Sequence, residues 1–498
     1  MNLHLILPEI VVVAGGMLAV AVDLLAPASR KGRAAPWVAG LALLAATLLV
    51  VLGRPEGTSF FGHHRSDAFS RFVRAVATGG GVLLVLISAP YTRRMDRGHG
   101  EFYGLLLFAL VGVMLVGAVT DLMGLFVCLE LLTITSYVLA AFKRTDVRSA
   151  EAGLKYLVVG AVSSAFLLFG VATVYGAAGS VEFASLSAHV VGKGFSPLLA
   201  LGTGMMLVGL FFKVSAVPFH VWAPDVYQGA PTPVTAFLSS VSKSAGFVLL
   251  LRIASVLVVP AAGTASGDAW VSFFGVAASL TLLYGNLAAI PQKDVKRLLA
   301  YSSIGHAGYM LLGLAALVAT ADPTVRVDAA TAVLVYVFAY YVTTTTAFTV
   351  VAVVSAQGKG HRAETAYAGL HRRSPLLAFA MLLALLSLAG VPPMAGLIGK
   401  FLVFWSVVGA AQSHPSVVVL GLVGALGVVL SLYYYLLLIR EMYAKDPSPE
   451  GGPATIRVPA AARVSVAIGI AALVGLGIYW APVYDVARGA AEALFASR

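Results

Sequence analysis

Cysteine and charge are what this chain has least of. The single Cys128 excludes internal disulfides, thiolate-ligated iron–sulfur clusters and cysteine-rich zinc sites within the chain. Only 11% of the residues are charged, against about 25% in a soluble domain. No GxGxxG opens a helix after a strand and no GxxxxGK[ST] occurs, so neither a dinucleotide nor an ATP site is signalled. The ten histidines do not pair within apolar runs as two-His haem ligands would. Acidic residues are outnumbered 33 to 22 by Lys and Arg. Yet no polar segment carries a basic stripe interleaved with aromatics, which argues against nucleic-acid binding.

What the chain has is hydrophobic length. Its 498 residues are 59% hydrophobic, with a mean hydropathy of +0.92, so it reads as an all-α polytopic membrane protein. About fourteen spans follow one another, near 4–25, 36–53, 68–90, 102–120, 121–142, 152–178, 196–220, 234–258, 270–290, 298–319, 329–355, 375–411, 417–439 and 461–483. Most approach the roughly 20 residues that cross about 30 Å of hydrocarbon. The run 102–142 is nearly unbroken, and 375–411 is too long for one straight helix. The N-terminus lacks a basic leader and is interrupted by Glu9 and Asp23, so it reads as a retained span rather than a cleaved signal. The longest polar gaps, near 54–67, 356–374 and 440–460, read as loops, which leaves 1–498 a single integral membrane domain.

The placement of positive charge orients the chain. Odd-numbered loops and their edges hold 21 Lys and Arg, among them Arg30, Lys31, Lys143, Lys155, Lys296, Arg297, Lys359 and Arg372. Even loops and the C-terminal tail hold 7, including Lys193 and Arg498. By the positive-inside bias the odd loops face the cytoplasm and both termini face away from it.

Against this background four ionisable residues stand out inside apolar runs: Glu130 in LELLTITSYVL, Lys213 in FFKVSAVPF, Lys243 in SSVSKSAGFVLL and Lys400 in LIGKFLVFW. An ammonium at mid-membrane costs roughly 2.5 to 3.5 kcal/mol, so intramembrane charges are read as functional by default. Arg252, nearer a span end, is expected instead to snorkel to the interface. Glu130 serves equally as the carboxylate that neutralises one lysine. His306, in SSIGHAGYM, is of the residue type whose unperturbed pKa lies near neutral pH and is a relay candidate; a satisfied core histidine is the plainer alternative. Lys213 and Lys400 each adjoin a break: Pro218 interrupts the seventh span, and Gly390, Pro392 and Pro393 the twelfth. Broken helices survive at membrane depth only where freed backbone is buried in protein or lines a wet cavity. Lying five spans apart, the two breaks run in opposite directions, as inverted-topology repeats would.

The residues that carry these features resemble a known family. FFKVSAVPFHVWAPDVYQGAPTPVTAFLSSVSKSAGF (211–247), RLLAYSSIGHAGYML (297–311) and LHRRSPLLAFAMLLALLSLAGVPPMAGLIGKFLVFW (370–405) are similar to the antiporter-like membrane subunits of respiratory complex I, closest in wording to the subunit N branch. The resemblance implies fourteen helices with two inverted five-helix repeats: spans 1–3 within 1–100, repeats within 101–260 and 261–440, and a last span within 441–498. It implies a proton-translocating subunit of an NADH:quinone oxidoreductase in the bacterial cell membrane, with Glu130, Lys213, Lys243, Lys400 and His306 as proton-transfer residues. It places no cofactor in this chain; FMN, iron–sulfur clusters and the quinone site would belong to other subunits. The neighbours implied are the antiporter-like subunit M and the small subunits K and J, within the lipid bilayer. A subunit of a multisubunit cation/proton antiporter shares the broken helices and lysines and is the alternative; a membrane scaffold without an ion path is a third reading.

Overall fold

The computed structural model describes residues 2–27, 32–54, 56–95, 97–357, 362–448 and 455–496. Arg30, Lys31, Lys359 and Arg498, which enter the charge bias, lie outside these residues. Among the described residues thirteen helices are long and apolar enough to cross a membrane, and a shorter apolar pair supplies one further, broken crossing.

The first group is α1 (Leu7–Leu25), α2 (Ala35–Gly53) and α3 (Ala68–Thr92). Between α2 and α3 lies a two-stranded antiparallel hairpin, β1 (Gly57–Ser59) and β2 (His64–Ser66), where sequence alone indicated only a loop. The long apolar run 102–142 divides into α4 (His99–Val116) and α5 (Leu122–Ala140). Asp121 makes the division, since its carboxylate caps the new helix by accepting from the Gly124 N–H at 2.7 Å. Next come α6 (Val147–Ala178), a short helix α7 (Phe183–Lys193) that the sequence had not indicated, and α8 (Pro197–Val214).

Both expected interruptions are present. After α8 the chain turns through Ser215, at φ +59°, and resumes as α9 (Trp222–Gly229). The following crossing is irregular: α10 (Thr232–Phe237), a π turn at Leu238–Ser242, α11 (Lys243–Ile253) and a second π turn at Ala254–Val258. Then come α12 (Ala265–Ala289), α13 (Val295–Val318), α14 (Pro323–Ser355) and the single turn α15 (Leu370–Arg373). The twelfth crossing splits into α16 (Pro375–Ala389) and α17 (Ala395–Ala410). Gly390 ends α16 in the left-handed conformation, at φ +87°, where a side chain would be strained. The chain closes with α18 (Val417–Ala444), α19 (Ala460–Ile478) and α20 (Ala481–Ala496).

Burial separates centre from rim. In α13 and the Thr232–Ala261 crossing 94% of the apolar stretch is buried, against 33% in α6 and 28% in α18. The polar groups described below are therefore held by helices that face other helices. Close backbone approach sets α13 in place: a Cβ at Gly285 of α12 would come within 2.4 Å of the Gly305 nitrogen. Small residues at such crossings are how membrane helices gain packing without a hydrophobic drive between them.

Candidate proton-transfer site

At one end of the site, Lys213 sits in the last turn of α8 with its stem against Gly246 of α11; a Cβ there would lie 3.3 Å from the lysine Cγ. Its buried ammonium is 3.3 Å from the Thr133 hydroxyl and 3.4 Å from that of Tyr156. Thr133 already donates to the Leu129 carbonyl at 2.6 Å, which leaves its oxygen free to accept from the lysine. Glu130 lies one turn before Thr133 on α5 and accepts from Ser164 on α6 at 2.5 Å. No ion pair within 4.0 Å joins Glu130 to Lys213, so the structure holds them near but apart, with Thr133 beside the gap.

Lys243 opens α11 directly after the π turn. Its ammonium donates to the Ser303 carbonyl at 2.8 Å and to the Ser303 hydroxyl, both on α13. The Tyr227 hydroxyl of α9 stands 3.4 Å from the same serine oxygen. One turn further along α13, His306 has a tyrosine at each ring nitrogen: Nδ1 is 2.7 Å from Tyr336 and Nε2 is 3.2 Å from Tyr435. The Tyr435 hydroxyl also bonds Ser302, the neighbour of Lys243's partner. An imidazole bonded on both nitrogens can accept a proton at one and release it at the other, which is the geometry a relay needs.

Lys400, in α17, turns back over the break. It donates to the Leu388 and Ala389 carbonyls at 2.8 and 3.0 Å, acceptors left without helical partners where α16 stops. Its ammonium also lies 4.8 Å over the ring of Tyr309, which stacks on Tyr336. A small cavity lined by His306, Tyr336, Tyr340, Thr343 and Ser387 reaches the same break. Ser387 itself accepts from the Gly396 N–H at 3.0 Å and bonds Thr343 at 2.9 Å, so side chains repair the interrupted backbone. The space between Lys243 and Lys400 is thus occupied by Ser303, Ser302, Tyr435, His306, Tyr336 and Tyr309 rather than by apolar side chains alone.

Several groups escaped sequence reasoning. Lys296, counted there as a loop-edge charge, is buried at the start of α13 and donates to the Ala230 carbonyl at 2.7 Å. Its position seven residues before Ser303, and so on the same helix face, was the available signal. Arg252 does not snorkel. It is buried with its guanidinium 4.6 Å over Phe69 and 2.9 Å from the Gly117 carbonyl, because α3 and α7 cover the end of its helix. Arg74 of α3 and Glu9 of α1 form a buried ion pair at 2.7 Å, with Ser66 and His64 of the hairpin on the other guanidinium nitrogens. His220, in the break after α8, packs on Tyr284 at 4.3 Å between ring centres. On the odd-loop side, Asp225 of α9 joins Lys155 of α6 at 2.7 Å and Arg297 of α13 at 2.5 Å, tying three helices together. Among the described residues no three His, Cys, Asp or Glu side chains gather as metal ligands would.

Comparison with known proteins agrees with this architecture. Residues 119–427 match the family model described as NADH:quinone oxidoreductase/Mrp antiporter, TM. The chain is 40% identical over 496 residues to NADH-quinone oxidoreductase subunit N of Moorella thermoacetica, covering 99% of both chains. Among solved structures it resembles a chain of respiratory complex I from Thermus thermophilus, with a TM-score of 0.79, 32% identity, and coverage of 97% of this chain and 100% of that one. A chain of the Mrp complex from Dietzia is similar in fold alone, at TM-score 0.84 and 21% identity over 99% and 98% of the two chains. The lysine-bearing broken helices and the full-length identity together place this chain in the NADH-quinone oxidoreductase subunit N family.

Proposed function

We propose that the chain is the proton-translocating, antiporter-like membrane subunit of an NADH-quinone oxidoreductase, coupling quinone reduction elsewhere in the complex to proton transfer through its own buried residues. One observation carries the reading: polar groups fill the space between Lys243 and Lys400 along α13, with Lys243 bonding Ser303, the adjacent Ser302 bonding Tyr435, Tyr435 and Tyr336 bonding His306, and Tyr336 stacking on Tyr309 beneath the Lys400 ammonium. Redox cofactors and the quinone site lie in other subunits, and subunits M, K and J are the neighbours this chain would meet. The odd-numbered loops face the cytoplasm of a bacterial cell.

The mechanism alternates two states. With Glu130 close to Lys213, the carboxylate neutralises the lysine and a proton can rest on Lys243. When the pair separates, the positive charge left on Lys213 repels the one on Lys243, and that proton moves by way of Ser303 and His306 toward Lys400. That Glu130 bonds Ser164 while Lys213 bonds Thr133 supports a separated state of the pair. The cation/proton-antiporter reading is disfavoured by the 32% identity to a complex I chain against 21% to an Mrp chain. Replacing Lys243 by Ala in the intact complex, reconstituted in liposomes with a pH-sensitive dye, should abolish pumping while the complex still assembles. An unchanged proton-to-electron ratio would refute the role.

A further inference from the structure

A wide cavity lies outside the path just described. It is a cleft of about 1680 Å³ between the odd-loop ends of α3, α4, α5 and α6. Its rim and its depth differ in chemistry. At the rim are the exposed cations Arg94, Arg97, Lys143 and Arg144, with Glu101 the one carboxylate among the described lining residues. Arg94 is held across the opening by its bond to the Ala356 carbonyl. Lys143 pairs with Asp146 at 2.9 Å, which leaves Arg97 and Arg144 to meet an anion. Below the rim the walls are Leu105, Phe108, Ile134, Val138 and Leu157. Ile134 and Val138 are about half exposed, as is Leu157. From Ala140, where α5 ends, to Ile134 the wall descends six residues, or about 9 Å of helix. A cationic collar above an apolar slot of that depth is complementary to a phosphate headgroup and its acyl chains.

We propose that this cleft binds an anionic phospholipid of the surrounding membrane, phosphate at Arg97 and Arg144 and one acyl chain along Ile134 and Val138. The occupant would touch the proton-transfer site. Tyr137 lines the cleft, its hydroxyl has no hydrogen-bond partner, and its ring meets Tyr156 edge-on at 4.9 Å. Tyr156 in turn stands beside the Lys213 ammonium. Glu130 lies one turn from Ile134 on the same face of α5, so the acyl chain would close off the side of that helix on which the carboxylate sits.

The test uses the whole purified complex in nanodiscs of phosphatidylglycerol or of phosphatidylcholine, each carrying a photoreactive acyl chain. Labelling within residues 134–157 is expected with phosphatidylglycerol and not with phosphatidylcholine. Arg97→Gln and Arg144→Gln should each weaken it roughly fivefold, the effect of removing one basic residue at an anionic surface. Arg97→Lys and Arg144→Lys should retain it, which separates lost charge from lost folding. Ile134→Trp, filling the slot, should abolish it. Equal labelling by the two lipids, indifference to both Gln variants, or cross-linking of a photoreactive residue at position 138 to another protein chain instead of lipid would overturn the proposal. All of these are read as binding, so they stand independently of whether the chain pumps protons.

Discussion

Gly390 and Lys400 are made for each other: a Cβ on the glycine would lie 3.0 Å from the lysine Cδ and 3.6 Å from its ammonium. The glycine also holds φ +87°, a conformation that costs an L-residue about 1 to 2 kcal/mol. Gly390→Ala is therefore expected to displace the ammonium from the Leu388 and Ala389 carbonyls without removing any charge. A penalty of that size, if it falls on the transfer step, slows it roughly five- to thirtyfold. Proton pumping by liposomes containing the variant complex should fall accordingly, while subunit content on native gels stays normal. Wild-type pumping would show that the contact has no part in transfer.

Glu130 is expected to matter for its charge more than its bond to Ser164. Glu130→Gln keeps a side-chain oxygen able to accept from that serine but can no longer neutralise Lys213. Glu130→Asp keeps the charge and shortens the reach. Membrane-potential generation should therefore be strongly impaired in Gln and only mildly in Asp. Equal activity of Glu130→Gln and wild type would make the carboxylate a packing element.

Sidedness follows from the charge bias alone and can be tested apart from any mechanism. Cysteines in place of Asp446 and Lys193 should react only from the cytoplasmic and only from the opposite side, respectively. Both positions are exposed, whereas Ser187, in the same segment as Lys193, is buried, and Ser29 lies outside the described residues. The native Cys128 is buried and should remain silent. Reversed labelling would invert the direction of transport.

His64 gives a pH dependence outside the membrane-spanning helices. Burial, and after it the nearby Arg74 guanidinium, lowers its pKa from 6.5 to about 4. The folded hairpin thus favours neutral imidazole. Its stabilisation is complete above about pH 6.5 and is lost as pH falls toward 4, where the histidine takes up a proton beside Arg74. Amide exchange across residues 57–66, corrected for intrinsic rates, should rise over that window in wild type. In His64→Gln, which cannot titrate but can still accept from Arg74, the rise should vanish. An identical profile in both would assign the effect to another group.

Crossing helices and both breaks were readable in the sequence, because apolar run length and proline or glycine clusters are local properties. So was the oddity of Lys213, Lys243 and Lys400, since a charge amid apolar neighbours needs no partner to be noticed. What could not be read was which groups these lysines and His306 meet. Ser303, Tyr336 and Tyr435 lie 60, 93 and 192 residues from Lys243 by sequence number, and nothing local marks them. Lys296 and Arg252 misled for the same reason: position near a span end suggests exposure, but neighbouring helices decide it. The Arg74–Glu9 pair joins residues 65 apart, a relation that only packing reveals.

The wrapping of α13 has an electrical consequence. Every residue from Leu298 to Val318 is buried, so a charge placed along this helix would be sheathed by protein and reach neither lipid nor bulk ions. Counter-ions cannot screen what they cannot approach. At an effective dielectric of about 20, two unit charges about 10 Å apart interact by about 1.7 kcal/mol, against roughly a quarter of that in water. Such a sleeve acts as insulation on a wire: it prevents leakage sideways, and it lets a change of charge at one buried group be felt several-fold more strongly at the next than it would be in water.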